Sequence, residues 1–219
     1  MLENPFPFLS DGDAAAPTTL ILAHGAGGPM DSPFLNEVAA QVASAAVRVL
    51  RFEFPFMRAR RETGRGGAPD REPALRAAWL GAIEAVRVMK ASRTERTGAG
   101  RLVIGGKSLG GRIASLIADE ASVDGLICLG YPFHPPAQPA KLRTAHLAAL
   151  KTRTLIVQGT RDPFGTPAEV ETYFLSPVIA IRWLESGDHS WKPLARSGRT
   201  LPQNMKEGIQ IIRGFLRSE

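Results

Sequence analysis

Three side chains that could share one proton-transfer task stand far apart along this chain: Ser108, Asp162 and His189. Ser108 is the centre of Gly106-Lys107-Ser108-Leu109-Gly110, a G-x-S-x-G pentapeptide. It lies between an apolar, strand-like run at 102–105 and a helical pattern that begins at Gly110. In that setting the chain must reverse sharply. Glycines remove the Cβ atoms that would collide in the turn, and the serine hydroxyl is held out above the strands. Serine is a poor nucleophile until a base takes its proton. A neutral imidazole does this near neutral pH and returns the proton to a leaving group, while a carboxylate fixes its tautomer and stabilises the imidazolium. His189 is the candidate base and Asp162 the candidate orienting acid. Asp188 competes for the second role, but adjacent side chains diverge, and it would struggle to meet the ring of its neighbour.

Each residue taken singly is commonplace. The pentapeptide arises by chance in about one chain in ten of this length, an Asp between a strand and a helix is often a cap or turn residue, and a loop histidine is most often surface. The elements around them change the odds. Apolar, β-branched runs at Thr18–Ala23, 47–54, 102–105, 125–130, 154–158 and Ile179–Leu184 alternate with helical patterns at 33–46, 73–92, 110–119, 141–150, 167–175 and 204–216. Runs apolar on both faces, in βαβα order, predict a mostly parallel, doubly wound sheet flanked by helices, within one domain spanning 1–219. Ligands in such sheets sit beyond the carboxyl ends of the strands. Ser108, Asp162 and His189 each follow such an end, in the order serine, acid, histidine.

A fourth strand end carries His24-Gly25-Ala26-Gly27-Gly28, small residues that let the backbone approach a ligand. Together with the N–H of Leu109, which opens a helix, an N–H of this loop would hold a developing oxyanion. Ala26 is the first choice and Gly25 the neighbouring one. His24 reads as a buttress of the loop. Two phosphate-binding readings fail. The P-loop needs glycine where Arg101 stands, and a dinucleotide fingerprint needs it where Met30 stands.

Four stretches carry a family resemblance: RFEFPF with Met57, GGKSLGGR, GYPFHPP followed by LRTAHL, and VQGTRDPFG with GDHSW. Across roughly residues 20–191 the chain resembles the α/β-hydrolase family of a testis-expressed hydrolase-like protein and of a scaffold subunit of the NSL histone-acetyltransferase complex. Dienelactone hydrolases look like more distant relatives, with cysteine in place of Ser108. The resemblance implies the α/β-hydrolase fold with a minimal cap and carries the triad onto Ser108, Asp162 and His189. It also keeps open a non-catalytic binding or scaffold role.

The rest of the sequence bounds the reading. A chain of 219 residues with 44% hydrophobic and 22% charged residues suits an ordinary globular protein. The formal charge of +6 permits nucleic-acid binding, but the basic residues are scattered, so none is expected. The exception is Arg58, Arg60, Arg61 and Arg65, within a stretch at 58–76 read as a mobile loop, where an anionic group could bind. Cys128, the single cysteine, sits in an apolar run and reads as buried core, so an internal disulfide is excluded. Without a signal-peptide pattern or a membrane-length apolar run, the expectation is a cytoplasmic protein with no membrane contact. No metal or cofactor is expected, and a protein partner or homo-oligomer stays open. Phe56, Met57, Tyr131, His134 and Trp191 are expected to line the substrate pocket, with residues 131–150 as the only candidate cap. The expected activity is hydrolysis of a small carboxylic ester or thioester through an acyl-Ser108 intermediate.

Overall fold

The computed structural model describes residues 6–91 and 100–218. Its centre is one seven-stranded sheet, ordered β1-β3-β2-β4-β5-β6-β7. The strands are β1 (Leu9–Asp11), β2 (Thr18–Ala23), β3 (Val47–Phe52), β4 (Arg101–Lys107), β5 (Gly125–Leu129), β6 (Thr154–Gly159) and β7 (Ile179–Leu184). All neighbours run parallel except β1, which pairs antiparallel with β3, Ser10 facing Leu50.

Alternation along each strand feeds two cores. In β2, Leu20 and Leu22 point to one side and Ile21 and Ala23 to the other, all at 1% exposure or less. Helices α1 (Pro33–Val42) and α6 (Leu201–Arg217) cover the first side with Leu35, Val38, Ile209 and Ile212. Helices α3 (Glu72–Ala91) and α4 (Leu109–Ile117) cover the second with Trp79, Ile83, Ile113 and Ile117. Burying both faces is what forces continuous apolar strands.

Chain order reverses between β2 and β4, which are neighbours with Ala23 opposite Gly106. A crevice opens at such a switch point, beyond the carboxyl ends. The glycine loop after β2 and the pentapeptide after β4 therefore meet there.

The structure corrects several local expectations. The arginine-rich stretch at 58–76 is not one loop. Helix α2 (Pro55–Thr63) occupies its start, with proline in the first turn and Gly64 closing it in the left-handed region at φ 67°, and α3 begins at Glu72. Phe56 and Met57 anchor α2 in the core, an apolar contribution too small to show as periodicity. The expected helix at 141–150 is a 3-10 turn, Ala145–Ala149, and that at 167–175 is one turn, α5 (Pro167–Val170). Residue 92, expected to end α3, lies outside the described residues.

Candidate functional site

The pentapeptide forms a strained turn. Ser108 has φ 51° and ψ −111°, a conformation costly for any residue with a Cβ. It holds because its surroundings fix it. Ser108 N donates to Leu129 O at 3.1 Å, and Ser108 O accepts from Arg112 N at 2.9 Å inside α4. Trp79 Nε1 on α3 donates to Gly110 O at 3.2 Å. Only glycine fits at 106 and 110: a Cβ there would lie 2.3 Å and 2.5 Å from Ala23 O. This close approach sets the start of α4 beside the loop after β2. The N–H of Leu109 belongs to the first turn of α4 and has no acceptor within the helix.

The loop after β2 is held from below. The His24 ring is buried and neutral. Its Nδ1–H donates to Gly25 O at 2.7 Å and its Nε2 accepts from Phe54 N at 3.0 Å, a tautomer assigned from these partners. Burial lowers its pKa. Arg51 donates to Met30 O at 2.9 Å and pairs with Asp11 at 2.9 Å. Arg61 bridges the buried Glu53 and Asp31 at 2.6 Å and 2.8 Å. This cluster of charges pins residues 24–32, which carry Gly25 and Ala26.

Asp162, fully buried, receives the His189 ring: Nδ1–H donates to Asp162 Oδ2 at 2.7 Å. The carboxylate is fixed in turn by Gln158 Nε2, donating to Oδ2 at 2.8 Å, and by Phe164 N, donating to Oδ1 at 2.9 Å. Gln158 also ties Tyr131 N and Tyr131 O of the neighbouring strand end, at 2.6 Å and 3.1 Å. Asp188 serves its own turn, accepting from Ser190 N and Lys192 N at 2.8 Å and 3.0 Å. Phe164 packs on the His189 ring with centroids 4.3 Å apart. Nε2 of His189 is buried with no hydrogen-bond partner among the described residues. Burial lowers the His189 pKa, with the Asp162 hydrogen bond opposing and the Lys107 charge assisting, so the ring is a neutral acceptor at neutral pH.

Lys107 also stands at this site, although the motif pattern assigns it no role. Its Nζ donates to His189 O at 2.6 Å and lies 5.6 Å from the Phe34 ring centroid. Burial pushes its ammonium down to about 8, against the pull of Asp162 and Asp188.

Ser108 and His189 line one cleft of about 370 Å³, together with Gly25–Gly28, Ser32, Phe34, Leu35, Lys107, Phe164 and Ser190. None of the five expected pocket residues is among them. Tyr131 is fully buried, its hydroxyl donating to Arg143 O at 2.9 Å. Trp191 is fully buried against Phe34 and Gly208. His134 sits 3.5 Å from Glu169 and donates to Pro135 O at 2.8 Å. Phe56 and Met57 are core side chains of α2. These residues follow strand ends, but the chain turns them inward. The cleft wall comes instead from the first turn of α1 and from the loop after β6, positions with no sequence signal beyond an isolated aromatic. Residues 131–150 contribute nothing to the cleft lining.

A second serine–histidine pair exists, Ser115 Oγ and His146 Nε2 at 2.8 Å. Ser115 is buried inside α4, and its hydroxyl donates to Arg112 O at 2.6 Å, so the histidine ring must be the donor. Burial and the charge of Arg112 push His146 down to about 4. The pair ties helix to turn and does not reach the cleft. Among the described residues no helix is long and apolar enough to cross a membrane.

Comparison with known proteins agrees with this architecture. A lidless α/β serine hydrolase of Xanthomonas campestris is 17% identical, with a TM-score of 0.64 over 97% of this chain and 90% of that one. A dienelactone hydrolase of Anabaena variabilis is 18% identical, with a TM-score of 0.69 over 94% and 89%. Est1E of Butyrivibrio proteoclasticus is 15% identical, with a TM-score of 0.62 over 96% and 94%. At such identities the likeness concerns the fold. The profile of the alpha/beta hydrolase domain matches residues 16–217, nearly the whole sequence, and the chain belongs to that family.

Proposed function

We propose that the protein is a serine hydrolase that cleaves a small carboxylic ester or thioester through an acyl-Ser108 intermediate. The observation that carries this reading is the orientation of His189. Its Nδ1–H is spent on the buried Asp162, which leaves Nε2 as an acceptor in the cleft that Ser108 also lines. Nε2 takes the Ser108 proton as Oγ attacks the acyl carbon. Asp162 stabilises the imidazolium without accepting its proton. The oxyanion is met by the N–H of Leu109, aided by the α4 dipole, and by that of Ala26, with Gly25 the alternative. The imidazolium then protonates the leaving group. Water, activated by the same Nε2, releases the acid. Phe34, Leu35 and Phe164 give the cleft an apolar wall suited to a short acyl group. The resemblance to the testis-expressed and NSL-scaffold family fits this triad.

A fluorophosphonate probe tests the reading. Ser108 becomes covalently labelled, and Ser108→Ala abolishes the adduct. A panel of p-nitrophenyl esters of rising acyl length then gives the chain preference. Folded wild-type protein that stays unlabelled and turns over no ester would overturn the proposal.

A further inference from the structure

The two edges of the sheet are built differently. β1 is three residues long and carries Asp11, paired to Arg51. A short, charged edge is a poor template for another strand. β7 is six residues long, IAIRWL, and pairs only with β6 among the described residues. Ile179, Ala180, Ile181 and Trp183 are half-buried, and the single charge is Arg182. Beside it Val178 is 37% and Phe174 83% exposed.

The hydrogen bonds say which backbone groups face outward. Thr154 N donates to Val178 O and Thr160 N donates to Leu184 O. In a parallel ladder these contacts recur at every second residue, so residues 178, 180, 182 and 184 bond to β6. Residues 179, 181 and 183 turn their N–H and C=O groups outward. Ile179 N is taken by Ser176 O. The outward carbonyl of Ile181 is met by the exposed Arg182 guanidinium of its own strand.

From this arrangement we infer that β7 pairs antiparallel with β7 of a second copy of this chain, around a two-fold axis through Ile181. The partner is this chain because the edge complements itself in one register. A two-fold axis normal to the sheet keeps each face on its own side, so opposed residues share parity. Centred on Ile181, the pairing sets Ile181 against Ile181 and Ile179 against Trp183, apolar pairs on one face. It sets Arg182 against Ala180 on the other. Main-chain bonds then run from Ile181 N to Ile181 O and from Trp183 N to Ile179 O, each to the opposite copy. Centred on Arg182, the pairing would oppose two guanidinium groups. Centred on Ala180, it would bring Pro177, which has no N–H, into the ladder. An isologous contact of this kind closes as a dimer and joins the two sheets into one. It also steadies the strand that leads into the loop bearing His189.

The test combines sedimentation velocity at micromolar concentrations with register-specific cross-linking. Wild-type protein is expected to sediment as a dimer. Ile181→Lys is expected to sediment as a monomer that still labels at Ser108. Ile181→Cys, close to the native side chain in size, is expected to form an intermolecular disulfide on oxidation. At an opposed, hydrogen-bonded pair the Cα atoms are about 5.5 Å apart, within disulfide reach. Arg182→Cys is expected to cross-link poorly, since its copies would be diagonal neighbours about 7–8 Å apart. The native Cys128 is buried and gives no background. A monomer throughout overturns the inference. So does a dimer that cross-links at position 182 in preference to 181, or at neither.

Discussion

Lys107 holds a positive charge where burial opposes it, and the consequence is measurable as a pH-dependent stability. In the unfolded chain its ammonium titrates near 10.5, and in the fold near 8. That fall corresponds to about 3 kcal/mol favouring the neutral amine in the folded state. Water reaching this half-buried side chain makes the figure a ceiling. Below pH 8 both states are protonated, and the burial cost is fully present. Between pH 8 and 10.5 the unfolded chain keeps a proton that the folded protein has released, so folding stability rises with pH. Above 10.5 the contribution is flat. Lys107→Met removes the group. Urea unfolding of wild type and variant, repeated from pH 7 to 10.5, should therefore show the wild type gaining up to about 3 kcal/mol on the variant. Other titrating groups cancel in the difference. Parallel curves would refute the claim that the ammonium is desolvated. The same variant loses the bond to His189 O, so its ester hydrolysis should fall at every pH.

Two further outcomes follow from the same neighbourhood. Burial lowers the His189 pKa, so the rate of Ser108 labelling should fall to half its plateau at a pH below 6.5. A midpoint above 6.5 would contradict a buried base. Gly130 has φ 71°, and a Cβ there would sit 2.9 Å from His189 O and 3.2 Å from its Cε1. Gly130→Ala should cost roughly 1 kcal/mol in urea stability for the left-handed backbone and a disproportionately larger fraction of kcat, because the ring must move.

What could be read in advance was whatever depends on strand ends. A parallel sheet buried on both faces writes itself into the sequence as apolar β-branched runs, and these runs mark β2 through β7 with ends shifted by at most two residues. The same logic selects Ser108, Asp162 and His189 from the residues just past each strand; the structure joins Asp162 to His189 by a hydrogen bond and puts Ser108 and His189 on one cleft. Packing direction carries no such signature. Tyr131 and Trp191 follow strand ends as faithfully as Ser108 does, yet both turn inward, Trp191 against Gly208 on a helix that begins ten residues later. Gln158, which holds the Asp162 carboxylate, reads as one more strand residue. Helix α2 leaves little mark in the sequence because only Phe56 and Met57 of its nine residues are buried.

The backbone at Ser108 also limits which chemistries this position could ever adopt. With φ at 51° the residue must tolerate a main chain that crowds its own Cβ. Threonine offers the same hydroxyl, but its second branch would press against that crowding, and β-branched residues are genuine outliers at positive φ. A thiol on an unbranched carbon would fit. The fold thus filters candidate nucleophiles by shape before reactivity is considered, and an exchange that keeps a nucleophile here is confined to side chains unbranched at Cβ.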